Sequence, residues 1–283
     1  MNKHQTQPLA EGFFFLEGPR WHQGKLWFSD MWGYKVYTLT AGGERQVVCE
    51  VPQRPSGIGF LPDGTPLIVS MADRKLMKLK NGALSVHADL SKFAGGDVND
   101  TVTDALGRTY VGNFGYDLFS GAEPAPADLV LVEADGATRV VASDLSFPNG
   151  AVIKDHGKTL VISESWANRL SAFDIAADGS LTNRRIYANV GDRVPDGICL
   201  DAAGAIWVSC FNSGEFLRLL DGGEITDIVT CGDKRAVACQ LGGDDGKTLF
   251  CLTYDGQIED LHKQKAAGAV ETVRVAVGGG GSP

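Results

Sequence analysis

Six positions in this chain stand at one offset from a recurring turn glycine: Glu17, Ser56, Asn99, Asn149, Asp196 and Ala238. Glu17 lies seven residues before its glycine and the other five lie eight before theirs. The set holds two carboxylates, two carboxamides and a hydroxyl. The two carboxylates supply a charge of −2, and all the donors are hard oxygens. Such a set suits a divalent cation that takes oxygen ligands: calcium, magnesium, manganese or oxygen-tolerant zinc. A carboxylate beside such a cation suits activation of water or direct nucleophilic attack. Polar lining of a wet channel accounts for any one of these residues. It does not account for four oxygen donors at one register.

The glycines that set this register are Gly24, Gly64, Gly107, Gly157, Gly204 and Gly246, spaced 40, 43, 50, 47 and 42 residues apart. Each closes a tight turn between two short apolar runs, as in Pro62-Asp63-Gly64-Thr65-Pro66-Leu67-Ile68-Val69-Ser70. Glycine there supplies the positive φ that a tight hairpin turn requires. Long stretches with a 3.6-residue apolar period are missing, so the chain reads as all-β. Six copies of one hairpin at a period of 40–50 residues predict a six-bladed β-propeller. The strand before each glycine becomes the innermost of its blade, and the six offset positions encircle the axis. The run Val270–Val277 suits a third strand of the last blade. The segment near Leu9 to Phe15 is expected to add its outer strand, tying the chain ends together and covering an edge. Residues 1–277 then form a single domain, followed by a flexible glycine-rich tail at 278–283.

Composition narrows the partners. Among 283 residues, Asp and Glu number 35 against 26 Lys and Arg, a net charge of −9. A polyanion such as nucleic acid is disfavoured, and a small molecule or a cation is favoured. No apolar run approaches the roughly 20 residues of a membrane helix. The cluster Phe13-Phe14-Phe15-Leu16 lacks the basic flank and cleavage site of a signal peptide. The six cysteines form no C-x-x-C pair and read as buried, reduced thiols of a cytoplasmic protein.

The motifs Glu17-Gly18-Pro19-Arg20-Trp21, Asn99-Asp100, Pro148-Asn149-Gly150 and Pro195-Asp196-Gly197 arrive in order and in the expected repeats. With them, essentially the whole chain resembles the SMP-30/gluconolactonase/LRE-like family. The resemblance implies a divalent metal, most often Ca2+, on the axis of a six-bladed propeller that hydrolyses lactones or related esters. By position it implies Glu17, Asn149 and Asp196 as metal ligands. It places Asn99 beside the metal facing the substrate, and Asp100 as an aspartate that supports the site without binding the metal. Asp196, Asn99 and Asp100 are the catalytic group so implied. One position departs from the pattern: sugar-lactonase members carry an arginine two residues before the Asn-Asp pair, and Asp97 stands there instead.

The loops joining second and third strands open onto the same end of the axis as the ring. They carry Trp32, Met71, Phe114, Tyr116, Trp166, Phe211 and Tyr254, an aromatic rim suited to an apolar pocket. The longest repeat places its excess at Phe119 to Asp128, as a lid or a plain surface loop. None of the five histidines falls where a base is needed. The expected chemistry is hydrolysis of a lactone or ester, with Asp196 as general base or nucleophile. Two other readings stay open: a non-catalytic propeller with structural calcium and a partner-binding face, and a phosphotriesterase-type hydrolase. With Asp97 in place of arginine, apolar lactones are expected to be preferred over sugar lactones, unless Arg54, Arg193 or Arg235 holds the hydroxyls.

Overall fold

The computed structural model describes residues 1–263 and 265–280. It is a six-bladed β-propeller: in blades 1 to 4 the strands follow chain order from the axis outward, and in blades 5 and 6 an N-terminal strand is added as the outermost. The innermost strands are Leu16–His22, Pro55–Phe60, Val98–Thr103, Pro148–Lys154, Pro195–Leu200 and Arg235–Gly242, in blades 1 to 6. All six turn glycines have positive φ, between 69° and 85°, as the hairpins require.

The inner strands are buried on both faces; every residue of Pro55–Phe60 and Val98–Thr103 is enclosed. Pro55–Phe60 does so by alternating small residues with apolar ones, whereas Val98–Thr103 buries polar side chains that find partners: Asp100 with Arg20, Thr101 with the Tyr110 carbonyl and Thr103 with Thr109. Glycine lets neighbouring inner strands approach. A Cβ on Gly57 would lie 2.6 Å from the Thr101 nitrogen, and one on Gly150 2.6 Å from the Ile198 nitrogen. Between blades, apolar side chains pack in separate clusters, such as Val161, Leu170, Ile206, Val208 and Leu217 between blades 4 and 5. Each such fully buried side chain contributes about 1.5–3 kcal/mol.

The ring closes as expected at blade 6, where Gln7–Phe13 pairs antiparallel with Gly268–Arg274. Trp21 of blade 1 stacks on Phe250 of blade 6 at 5.2 Å across the seam. A further strand, Asn2–Gln5, runs parallel to Ile225–Thr230 and caps blade 5, a second clasp that the sequence reading did not contain. The tail expected to be flexible is partly tied down. Gly278 accepts from the Ala202 N–H at 2.8 Å and the Gly280 N–H donates to Leu200 at 3.2 Å; residues 281–283 lie outside the described residues. No helix among the described residues is long and apolar enough to cross a membrane. All six cysteines are free thiols and five are buried. Burial pushes the Cys49 thiol up to about 11 and that of Cys231 up to about 12.

Candidate active site at the axis

Each inner strand carries an irregularity at the same height, for example between Pro55 and Ile58, Val98 and Thr101, and Pro195 and Ile198. The break in the ladder frees one residue per blade at the top of the channel. These residues are Glu17, Ser56, Asn99, Asn149 and Asp196, the predicted set. The sixth position is corrected. A Cβ on Gly197 would strike the Cβ of Ala238 at 2.4 Å, so Ala238 matches the glycine that follows the ring residue, and Val237 completes the ring. The register slips because the blade 6 hairpin is one residue longer on each strand: Cys239 pairs with Cys251, where blade 5 pairs Ile198 with Val208.

The ring is almost enclosed and acidic. Glu17, Asn149 and Asp196 are 6%, 6% and 7% exposed, and Asn99 3%. Burial, then the Asp196 charge, then that of Asp100 hold the Glu17 carboxyl well above its usual range. Burial and Asp100 do the same to Asp196, with Asn149 opposing. Burial also raises Asp100, against the pull of Arg20 and the Thr101 N–H. Asp100 lies deeper in the channel, where Arg20 Nη2 reaches it at 3.3 Å and also donates to the Thr101 carbonyl. Three carboxylates and one guanidinium give this end of the axis a formal charge of −2.

The two carboxamides are turned in opposite senses. Asn149 Nδ2 donates to Ser165 Oγ at 3.3 Å, and Ser165 Oγ donates to the Pro195 carbonyl at 2.7 Å. That relay leaves Asn149 Oδ1 without a partner, and Asp196 Oδ1 also has none. Ser56 Oγ donates to Asn99 Oδ1 at 3.2 Å, which leaves Asn99 Nδ2 as a buried donor without an acceptor. Buried polar atoms are rarely left unpaired. Two free acceptors and one free donor at the end of one channel therefore describe a place for a cation and an oxygen-bearing ligand. The donors fit a hard divalent ion by type and by charge. No group of three or more His, Cys, Asp or Glu residues among the described residues has metal-binding proximity; the ring's donors are two carboxylates and a carboxamide.

The rim residues divide. Met71, Phe114, Tyr116 and Tyr254 are buried in one cluster with Phe15, Phe147 and Val237, and Trp32 and Phe211 pack against it half-buried. Met71, at 0% exposure, lies wholly within the cluster, and Tyr254, at 2%, is almost enclosed by it. Trp166 is 46% exposed, and its Nε1 donates to Tyr116 Oη at 2.8 Å. Two aromatics went unnamed as rim residues at the sequence level. Phe147 stacks on Phe114 at 4.5 Å, and Phe119, from the inserted loop, meets Trp32 edge-on at 5.7 Å. Asp97 is held by Arg54 Nη2 at 2.6 Å. Arg193 is engaged by Glu215 at 2.6 Å, and Arg235 donates to Gly256 and Gln257. A cavity of about 640 Å3 lies at the opposite end of the axis, lined by residues such as Val102, Lys154 and Leu200. Another, of about 560 Å3, lies beside Tyr254 and Arg235. Neither touches Glu17, Asn149 or Asp196, so the chemistry is assigned from the unpaired atoms and not from open volume.

A single-chain propeller with an acidic, oxygen-lined axis defines the class. Residues 15–255 match the model of the SMP-30/gluconolactonase/LRE-like region family, and the chain belongs to that family. It is 28% identical over 271 residues to regucalcin of Danio rerio, across 89% of this chain and 88% of that one. It is 26% identical over 190 residues to the 6-deoxy-6-sulfogluconolactonase of Pseudomonas putida, across 65% and 64%. The fold matches the crystal structure of a regucalcin from Agrobacterium tumefaciens, described as a calcium-binding protein, with a TM-score of 0.83, 21% identity and coverage of 100% and 98%. It matches a luciferin-regenerating enzyme with a TM-score of 0.82, 19% identity and coverage of 95% and 94%.

Proposed function

We propose that this protein is a calcium-dependent hydrolase that opens lactones or related cyclic esters at the top of its axis. The observation that carries this is the set of unpaired buried atoms, with Asn149 Oδ1 and Asp196 Oδ1 as acceptors and Asn99 Nδ2 as a donor. Glu17, Asn149 and Asp196 would hold the cation, and the residual charge of −2 balances it. When bound, it supplies Lewis-acid polarisation of an ester carbonyl. Family membership and the lactonase among the relatives support the substrate class.

The protein's own groups supply the rest. Asn99 Nδ2, fixed by Ser56, donates to the carbonyl oxygen and more strongly to the oxyanion that forms from it. Asp196 accepts the proton of the attacking water and returns it to the ring oxygen as the acyl bond breaks. Asp100 and Arg20 hold the channel floor neutral and fix the strand on which Asn99 sits. The aromatic rim orients the ring and excludes bulk water. Hydrolysis of a panel of γ- and δ-lactones, followed by proton release in Ca2+ and again in excess chelator, tests this. Turnover lost on chelation and restored by Ca2+ is expected. A folded, calcium-loaded protein inert to every lactone overturns it in favour of a binding propeller.

A further inference from the structure

Two residues above the ring, the six blades contribute a second tier. Arg54 precedes Pro55-Ser56, Asp97 precedes Val98-Asn99, Phe147 precedes Pro148-Asn149, and Arg235 precedes Ala236-Val237. Arg54 and Phe147 share a left-handed backbone, at φ 69° and 58°, and both end in the aromatic rim. The Phe147 ring lies on Phe114. The Arg54 guanidinium carbon lies 5.2 Å from the Trp32 ring centre and 4.5 Å from that of Phe119. Arg54 and Asp97 are thus register mates on adjacent blades, joined at 2.6 Å, and each side chain is 14% exposed.

The arginines at this end of the molecule are not equivalent. Arg193 is bound to Glu215, and Arg235 has given Nε and Nη2 to Gly256 and Gln257. Arg54 gives one hydrogen bond, from Nη2, and among the described residues Nε and Nη1 have no protein acceptor. A guanidinium carries five donors in a fixed plane. Here one edge is fixed by a carboxylate and the π-faces of two aromatics adjoin it, so its orientation is set before a ligand arrives. Asp97 neutralises its charge, so it offers direction more than net attraction.

We propose, on the reading of the site as a lactonase, that Arg54 is the specificity-determining clamp of this site. It donates its free N–H groups to oxygen substituents on the lactone ring, with Asp97 positioning it and Phe119 covering it. Asp97 therefore does not leave the site without an arginine: the guanidinium comes from the neighbouring blade at the same height. The substrate class shifts accordingly, from alkyl-substituted lactones to lactones bearing hydroxyl groups.

The test compares a gluconolactone-type sugar lactone with δ-valerolactone at saturating Ca2+, in the wild type, Arg54→Met and Arg54→Met/Asp97→Asn. The double variant removes both charges and leaves neither buried alone, so it keeps the test open should Arg54→Met fold poorly. Binding of gluconolactam, which is not hydrolysed, is measured by calorimetry in the same proteins. Both variants are expected to lose roughly 10- to 100-fold more kcat/KM on the sugar lactone than on δ-valerolactone, as fits loss of hydrogen bonds to a charged donor, and to lose gluconolactam affinity in step. Equal losses on both lactones would show a packing role and overturn the clamp, as would no loss on either. A wild type that binds gluconolactam through Arg54 but opens no lactone keeps the clamp and removes the hydrolase. A wild type that neither binds gluconolactam nor opens the sugar lactone removes the clamp.

Discussion

Replacing Arg20 with methionine separates the charge balance of the channel from its packing. Arg20 and Asp100 are 6% and 4% exposed as side chains and 3.3 Å apart. Arg20 also donates to the Pro19 carbonyl at 2.7 Å and to the Thr101 carbonyl. Methionine keeps most of the stem volume but leaves Asp100 a buried carboxylate without its cation, and removes the guanidinium donor that reaches the Pro19 and Thr101 carbonyls. Breaking a buried pair from one side costs about 3–5 kcal/mol. At roughly 2 °C per kcal/mol for a chain of this size, the melting temperature should fall by roughly 6–10 °C in chelator. The channel end would pass from −2 to −3, so added Ca2+ should recover part of the loss, more than it adds to the wild type. Arg20→Met/Asp100→Asn removes the stranded charge and should recover much of the loss in chelator without needing the metal. Thermal denaturation of the three proteins, with and without Ca2+, reads all of this. A melting temperature for Arg20→Met within 2 °C of the wild type in chelator would refute the view that Arg20 balances this end of the axis.

Three further outcomes are expected. Glu17→Gln and Asn149→Ala should weaken Ca2+ binding in calorimetric titration while the melting temperature in chelator holds; unchanged affinity in both would take these residues out of the cation site. Asp196→Asn, assayed at saturating Ca2+, should lower kcat about 10²- to 10⁴-fold with a smaller change in KM, and near-normal turnover would remove it as the base. Glu164 accepts from the Ser146 N–H at 2.9 Å, from Ser171, from Arg169 at 3.1 Å and from Arg184 at 2.9 Å. These partners together outweigh burial and hold its folded pKa below the usual value. Its stabilisation is therefore present above the unfolded carboxylate range and is lost as pH falls through the folded pKa. Glu164→Gln should be destabilised at pH 7, and the gap to the wild type should close towards pH 3; a gap that persists there would contradict the assignment.

The residues that were legible in the sequence and those that were not differ in how local their signals are. A hairpin glycine at positive φ is a constraint within five residues, and six of them at a steady period leave few architectures open. The ring followed from the same count, because a bulge of constant position keeps Glu17, Ser56, Asn99, Asn149 and Asp196 in step. The count failed at Ala238, where a hairpin longer by one residue on each strand moved Val237 into the ring. A local insertion of that kind has no composition signal. The strand Asn2–Gln5 was missed for a related reason: its residues are almost all exposed, without apolar alternation, and it is held by ladder bonds to blade 5.

The substitution at position 97 shows how a residue read alone misleads. An aspartate two residues before Asn99 reads as the loss of a donor and the gain of a negative charge at the mouth. In the folded chain its carboxylate is paired by Arg54, 43 residues earlier and level with it on the next blade. In a propeller, equivalent positions of adjacent blades are neighbours around the axis, so a residue at one register is free to change if its neighbour at that register changes with it. Burial outweighs Arg54 in setting the Asp97 carboxyl, which is raised above its usual value. The pair is therefore held by geometry under Phe119 as much as by charge. What the tier above the ring presents to a ligand is decided by which donors remain after these pairings. Arg235 has given Nε and Nη2 to the protein and Arg193 has given Nε and Nη1, while Arg54 keeps both Nε and Nη1 among the described residues.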